Sequence, residues 1–238
     1  MCGRFAAYFE APELVDWFGV TDLLDPPGPS WNIAPTSQIA LVRDLLEAAS
    51  GRLQRELRGA RWGLVPTWSK TLTSGPRLIN ARSETVTVKA SYRAAARARR
   101  ALIPAAGYYE WQAADQGPKT PYYLHPPEAN PIALAGLYDW WWPPDVDRRE
   151  NPDAAPPLLT AVIITRAATD STGEIHDRMP LIVPAEAWDA WLDPGLKDPA
   201  AIDDMIRTLP DPELIPRRVG RAVGSVKNDG PGLIEPVG

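Results

Sequence analysis

Twenty-seven prolines are spread through the 238 residues of this chain, and that distribution restricts it to short elements. Proline lacks the N–H that a ladder needs and clashes with the preceding helical turn, so a chain interrupted this often favours short strands, turns and fixed loops over long helices. Apolar residues still make up 45%, ample for the core of one large domain spanning residues 1–238. Leu14, Trp17 and Phe18 stand at helical spacing and predict a short helix over Pro12 to Phe18. Ile39 to Arg43 and Gln54 to Trp62 read as neighbouring strands of a meander. Tyr92 to Arg100 reads as a helix carrying Arg93, Arg97 and Arg100 on one solvated side.

From Ala101 onward, apolar runs bounded by turns predict strands at Ala101 to Ile103, Tyr108 to Gln112, Tyr122 to Leu124, Ile132 to Tyr138, Leu158 to Thr165 and Leu181 to Val183. Trp140 to Pro157, rich in proline and charge, reads as an exposed excursion between two strands. Helices follow at Pro184 to Leu192, where Trp188 and Trp191 face the core, and at Pro199 to Leu209, with Asp198 as N-cap and Pro199 at the first helical position. Because strands and helices do not alternate regularly, the expected class is α+β: a curled, mostly antiparallel sheet or barrel-like core with peripheral helices.

No apolar run approaches the roughly 20 residues that span a bilayer, and no basic segment followed by an apolar stretch opens the chain. We therefore expect a soluble, cytoplasmic protein with no membrane partner. With one cysteine there is no internal disulfide, and with only His125 and His176 a metal site would need several carboxylates, so neither a metal nor a cofactor is expected. The net charge of −5 argues against a broadly basic nucleic-acid surface, although a local cleft can be positive on an acidic protein.

The single cysteine is Cys2. Removal of Met1 leaves it with a free α-amine beside its thiol, a 1,2-aminothiol. Such an amine, with a pKa of about 7.7–8, is appreciably neutral at physiological pH and adds to an aldehyde to give a Schiff base. The thiol then adds to the imine carbon and closes a thiazolidine. The same terminus can also act as a thiol nucleophile in acyl transfer, and a small apolar residue near a start codon is the plain alternative.

Five further segments place reactive polar residues among prolines and aromatics: Asn32-Ile33-Ala34-Pro35, Trp62 to Trp68, Ile79 to Thr85, Gly107 to Trp111, and Ile175 to Pro180. Together with Cys2-Gly3-Arg4-Phe5, and in this order, they resemble the SRAP family, the SOS-response-associated peptidase-like proteins that process abasic sites in single-stranded DNA. The resemblance extends to the segment Ala222 to Asn228. It implies covalent, single-turnover capture of the open-chain abasic sugar by Cys2 as a thiazolidine crosslink, with β-elimination from the imine as a side reaction.

Residue by residue, the resemblance assigns Glu110, between Tyr109 and Trp111, to proton transfer during sugar ring opening, a task suited to a carboxyl whose pKa is raised in an aromatic pocket. His176 becomes a proton shuttle with Asp177 to orient it, and Asn80 an amide that positions the Cys2 terminus or a sugar hydroxyl. Arg4, Arg82 and Arg178 are candidates for the flanking phosphates, with salt bridges to Glu84 or Asp177 as their ordinary alternative. Trp68, in a proline-braced loop, is the expected base-stacking platform, whereas Trp62 packs inside. The implied partner is single-stranded DNA carrying an abasic site, bound by a monomer associated with the nucleoid.

An N-terminal-nucleophile glutamine amidotransferase shares the Cys-Gly opening, but the His-Arg-Gly segment and Asn-Gly pair expected of that class are absent. A noncovalent single-strand binding module is a second rival. A peptidase role suggested by the family's name reduces, on this sequence, to maturation of its own terminus.

Overall fold

In the computed structural model, residues 2–47, 50–72, 78–114, 116–143, 157–169 and 173–238 are described. Two sheets organise them. The first has the order β13-β9-β8-β1-β3, built from β1 (Phe5–Ala7), β3 (Ser30–Ile33), β8 (Gly107–Gln112), β9 (Thr120–His125) and β13 (Ile215–Arg218). The second has the order β12-β11-β10-β7-β4-β5-β2, from β2 (Asp22–Leu24), β4 (Gln38–Leu46), β5 (Leu53–Trp62), β7 (Arg100–Ala105), β10 (Ile132–Trp141), β11 (Leu158–Ala167) and β12 (Arg178–Pro180). This sheet curls until β5 meets β11 in parallel, Arg61 opposite Thr160 and Trp62 opposite Ala161, so that β11, β10, β7, β4 and β5 close a ring. The three-residue strand β6 (Asn80–Arg82) also runs parallel to β11. The fold is α+β with curled, mostly antiparallel sheets, as the sequence predicts.

Alternation along the strands divides the core in two. Ile39 and Leu41 of β4 pack with Cys2, Phe5, Trp62 and Tyr108 between the sheets. Ala40 and Val42, pointing the other way, pack with Leu14, Phe18, Trp191 and Ile202 beneath the helices. Those helices are α1 (Ala11–Phe18), α2 (Arg93–Ala98), α3 (Trp188–Leu192) and α4 (Pro199–Thr208). Helix α1 starts with a capping box between Glu10 and Glu13 and stops at Gly19, whose φ of 63° gives the left-handed turn. Asp198 caps α4 by accepting from the Ala201 N–H at 3.1 Å, with Pro199 opening the helix.

Several expectations need correcting. The helix at 92–100 ends at Ala98, and Arg100 opens β7 as a buried residue. Its guanidinium donates to the carbonyls of Trp191, Ala96 and Asp193, so this arginine ties α2 to α3 while Arg93 and Arg97 remain exposed. The strand expected at Leu181 to Val183 lies instead at Arg178–Pro180, and Ile182 contributes one isolated bridge to Leu134. The helix expected from Pro184 begins as a 3-10 turn at Ala185–Ala187 before α3. Trp140 and Trp141 belong to β10 rather than to an excursion; Trp140 lies under the Arg43 and Arg58 guanidinium groups, and the Trp141 indole donates to the Ser69 carbonyl. Most of that expected excursion, residues 144–156, lies outside the described residues, as does Met1.

Candidate functional site

Strand β1 fixes the start of the chain against β8. Phe5 pairs antiparallel with Tyr108, and the Tyr109 N–H donates to the Arg4 carbonyl at 2.9 Å, which carries the N-terminal segment along β8 toward Glu110. Phe5 is locked from the other side by an edge-to-face contact with Trp62 at 5.2 Å. Cys2 is consequently fully buried.

Asn80 reaches the same point from the second sheet. Its strand pairs with β11, Asn80 opposite Ile163, and the Trp62 indole donates to the adjoining Ile79 carbonyl at 2.9 Å. The Asn80 Nδ2 donates to the Cys2 carbonyl at 2.8 Å, and the Tyr92 hydroxyl donates to the Asn80 carbonyl at 3.2 Å. Asn80 Oδ1 is buried and has no hydrogen-bond partner among the described residues. It is thus an acceptor with unused capacity at this point of the site.

Glu110 is buried on β8, and its Oε2 lies 4.0 Å from His176 Nε2, within range of charge attraction but beyond a hydrogen bond. Burial raises the Glu110 carboxyl above its ordinary range, and His176 partly opposes that rise. Burial also pushes the Cys2 thiol far up, with the Glu110 charge adding to the effect. The Tyr108 phenol is raised for the same reasons, burial first and then Cys2 and Glu110. These groups share a low-dielectric pocket that disfavours negative charge. A buried carboxyl whose pKa is raised, beside a thiol that burial holds against ionisation, suits proton transfer to a substrate oxygen and from sulfur.

On the far side of the imidazole, His176 Nδ1 lies 2.8 Å from Asp177 Oδ1 and 3.0 Å from the Arg178 N–H. A single ring nitrogen serves one of these at a time. When Nδ1 accepts from Arg178, the neutral ring carries its proton on Nε2, facing Glu110; when Nδ1 is protonated, it donates to Asp177.

The three arginines differ. Arg82 is exposed, with no ion-pair or hydrogen-bond partner for its side chain among the described residues. Arg178 is engaged by both Glu84 oxygens and the Thr165 carbonyl, and its hydrogen bonds lower the Glu84 carboxyl pKa. Arg4 Nη1 donates to Asn32 Oδ1 at 2.6 Å and to the Val223 carbonyl at 2.7 Å, and its guanidinium lies over the Trp111 ring at 5.9 Å. Trp68 stands 70% exposed in the turn after β5, whereas Trp62 is fully buried.

Cys2, Asn80, Glu110 and His176 therefore converge, though they come from widely separated parts of the chain. Asn32 stands in a segment that the sequence singles out, but sequence reasoning assigned it no role. It is buried on β3, and besides accepting from Arg4 its Nδ2 donates to the Ser225 carbonyl at 2.9 Å and the Asn228 carbonyl at 2.7 Å. This clips the C-terminal segment onto the base of the site. Its signal in the sequence is a carboxamide between two apolar residues in the Asn32–Pro35 segment.

Residues 1–226 match the family model described as SOS response associated peptidase (SRAP). The chain belongs to the SRAP family. Among its SRAP relatives, the abasic site processing protein YoqW of Bacillus subtilis is 34% identical over 99% of both chains. YedK of Escherichia coli, named in the same way, is 29% identical over the whole of both. The Gallus gallus protein HMCES, also named an abasic site processing protein, is 31% identical over 88% of this chain and 66% of its own length. The SRAP fold recurs in a crystal structure of a protein from Bacteroides thetaiotaomicron, with a TM-score of 0.77 at 21% identity, covering 99% of this chain and all of that one.

Proposed function

We propose that this protein captures abasic sites in single-stranded DNA as a covalent thiazolidine adduct of Cys2, acting once per molecule. The observation that carries the reading is the junction at Cys2: its carbonyl is held by the Asn80 amide, its thiol is buried, and Glu110 and His176 lie together beside it. The printed names of the SRAP relatives give the substrate class.

The abasic sugar is mostly a closed hemiacetal. Protonation of the ring oxygen by Glu110, as the anomeric hydroxyl gives up its proton, breaks the ring C–O bond and frees the aldehyde. The α-amine exposed by removal of Met1 adds to that carbon. The resulting carbinolamine loses its hydroxyl as water, with the proton supplied from the Glu110–His176 pair, and leaves an imine. Sulfur then forms a bond to the imine carbon as its proton is removed, the C=N electron pair returns to nitrogen, and the five-membered ring closes. The net change is aldehyde plus aminothiol to thiazolidine plus one water. Escape from the imine by β-elimination of the 3′ phosphate is the lyase side reaction. The exposed Arg82 and Trp68 are the groups available for phosphate contact and base stacking. The reading extends to a monomer acting in the cytoplasm at the nucleoid.

The test is intact-mass spectrometry before and after incubation with a single-stranded oligonucleotide carrying one abasic site. A one-to-one adduct lighter by one water than the sum, absent from Cys2→Ala, is expected. A processed Cys2 terminus that gives no adduct refutes the reading, and glutamine hydrolysis is then the next assay.

A further inference from the structure

Strand pairing carries a straight line outward from Glu110. On β9 its direct partner is Tyr122, and on β13 the partner of Tyr122 is Arg218. Residues directly opposite in an antiparallel sheet project from the same face, so Glu110, Tyr122 and Arg218 form one row. The row crosses two strand spacings, about 10 Å. Tyr122 is half-buried against the core that holds Cys2, while Arg218 is exposed at the sheet's outer edge.

Arg218 does not stand alone there. With Arg221, also exposed, it flanks a cleft of about 270 Å³ whose lining includes Thr120 and Gly220 and, among the described residues, no aspartate or glutamate. Neither guanidinium has an ion-pair or hydrogen-bond partner for its side chain among the described residues, in contrast to Arg178, Arg43 and Arg55, which are neutralised by Glu84, Glu56 and Asp44. A second route ties this cleft to the site. Arg221 lies two residues before Val223, whose carbonyl receives the Arg4 side chain. On a chain of net charge −5, two guanidinium groups without a described ion-pair partner, beside a hydroxyl, form a local positive well large enough to admit a phosphate.

We propose that the Arg218–Arg221 cleft is a subsite for a backbone phosphodiester of the single strand, on one side of the captured sugar, with Tyr122 lining the path between. This rests on the proposed reading of Cys2 as the point of capture. The subsite contacts only backbone, so it adds affinity and strand register without sequence preference, and it makes one flank of the lesion matter more than the other.

The experiment measures noncovalent affinity for oligonucleotides carrying a tetrahydrofuran analogue of the abasic sugar, which lacks the aldehyde and cannot crosslink. Two probes are used, extended only 5′ or only 3′ of the analogue, over a range of salt. The R218A/R221A double variant is expected to lose roughly tenfold or more in affinity for one probe, to lower its log–log salt slope by about 1, and to bind the other probe as the wild type does. Unchanged melting temperature and an unchanged final adduct yield at saturating abasic DNA complete the expectation. Equal affinities and slopes for variant and wild type on both probes overturn the subsite, as does an equal loss on both, which marks a diffuse charge effect. Absence of any wild-type adduct with true abasic DNA defeats the capture reading instead, and is read separately.

Discussion

Replacing Asn32 with alanine tests whether the floor of the site is held by the clip that joins the chain's two ends. The side chain is 7% exposed and makes three hydrogen bonds: one accepted from the charged Arg4 and two donated to the Ser225 and Asn228 carbonyls. A bond to a charged group contributes about 1.5–3 kcal/mol and a neutral one about 0.5–1.5. Because the alanine leaves all three partners without a replacement, the expected cost is about 3–5 kcal/mol. For a chain of this length each kcal/mol moves the melting temperature by about 2–4 °C, so the expected fall is about 6–20 °C by calorimetry. Arg4 also loses one of its two anchors, and adduct formation slows even at temperatures where the variant is folded. Asn32→Asp sharpens the test: it keeps an acceptor for Arg4 but turns a carboxylate on two carbonyls, so it too must destabilise. A fall of less than about 2 °C in Asn32→Ala, with the wild-type adduct rate, refutes the clip.

Glu110→Gln removes a carboxyl whose pKa burial has raised. A raised acid stabilises the fold fully below its unfolded pKa and loses that contribution as pH rises through its folded value. The variant is therefore expected to gain melting temperature relative to wild type at pH 8 and to lose that advantage toward pH 4, while its adduct rate falls by about 10²-fold; parallel pH–stability curves contradict this. Trp68→Ala, at a 70% exposed position, should leave stability unchanged and weaken single-strand binding by about 5- to 150-fold, the equivalent of one stacked base; an undiminished affinity by fluorescence anisotropy removes Trp68 from the interface. Gly107→Ala adds a Cβ that would meet the Leu124 carbonyl and the Tyr123 ring at 2.6 Å each, so a loss of about 1–3 kcal/mol is expected in denaturant titration, and wild-type stability would show that β8 and β9 can separate at that point.

What the sequence made legible was local. Helix α1 carries its own apolar spacing and caps, α4 has its Asp198 and Pro199, and the long strands β4, β10 and β11 announce themselves as apolar runs. The short strands went unseen because their pairing, not their composition, makes them strands. Asn80–Arg82 is three residues long and exists because β11 accepts it. Arg100 misled for a related reason: an arginine in an alanine-rich stretch looks solvated until the carbonyls of Ala96, Trp191 and Asp193, at the ends of α2 and α3, are brought to its guanidinium. Cys2, Asn80, Glu110 and His176 were recognisable as a set of residue types in order, whereas for Asn32 the segment was visible and its task was not, because that task lies in the Val223–Asn228 segment that folds back over it.

The burial of Cys2 also sets a clock. The finished fold closes over that residue with β8, β6 and the His176 loop, so an enzyme that must reach the chain's start to remove Met1 has its best access before those parts exist. At about 5–20 residues per second, synthesis through His176 takes roughly 10–35 s. On the proposed capture reading, removal of Met1 is then a race run on the ribosome, and a molecule that misses it keeps its amine and its thiol on different residues, unable to close a five-membered ring.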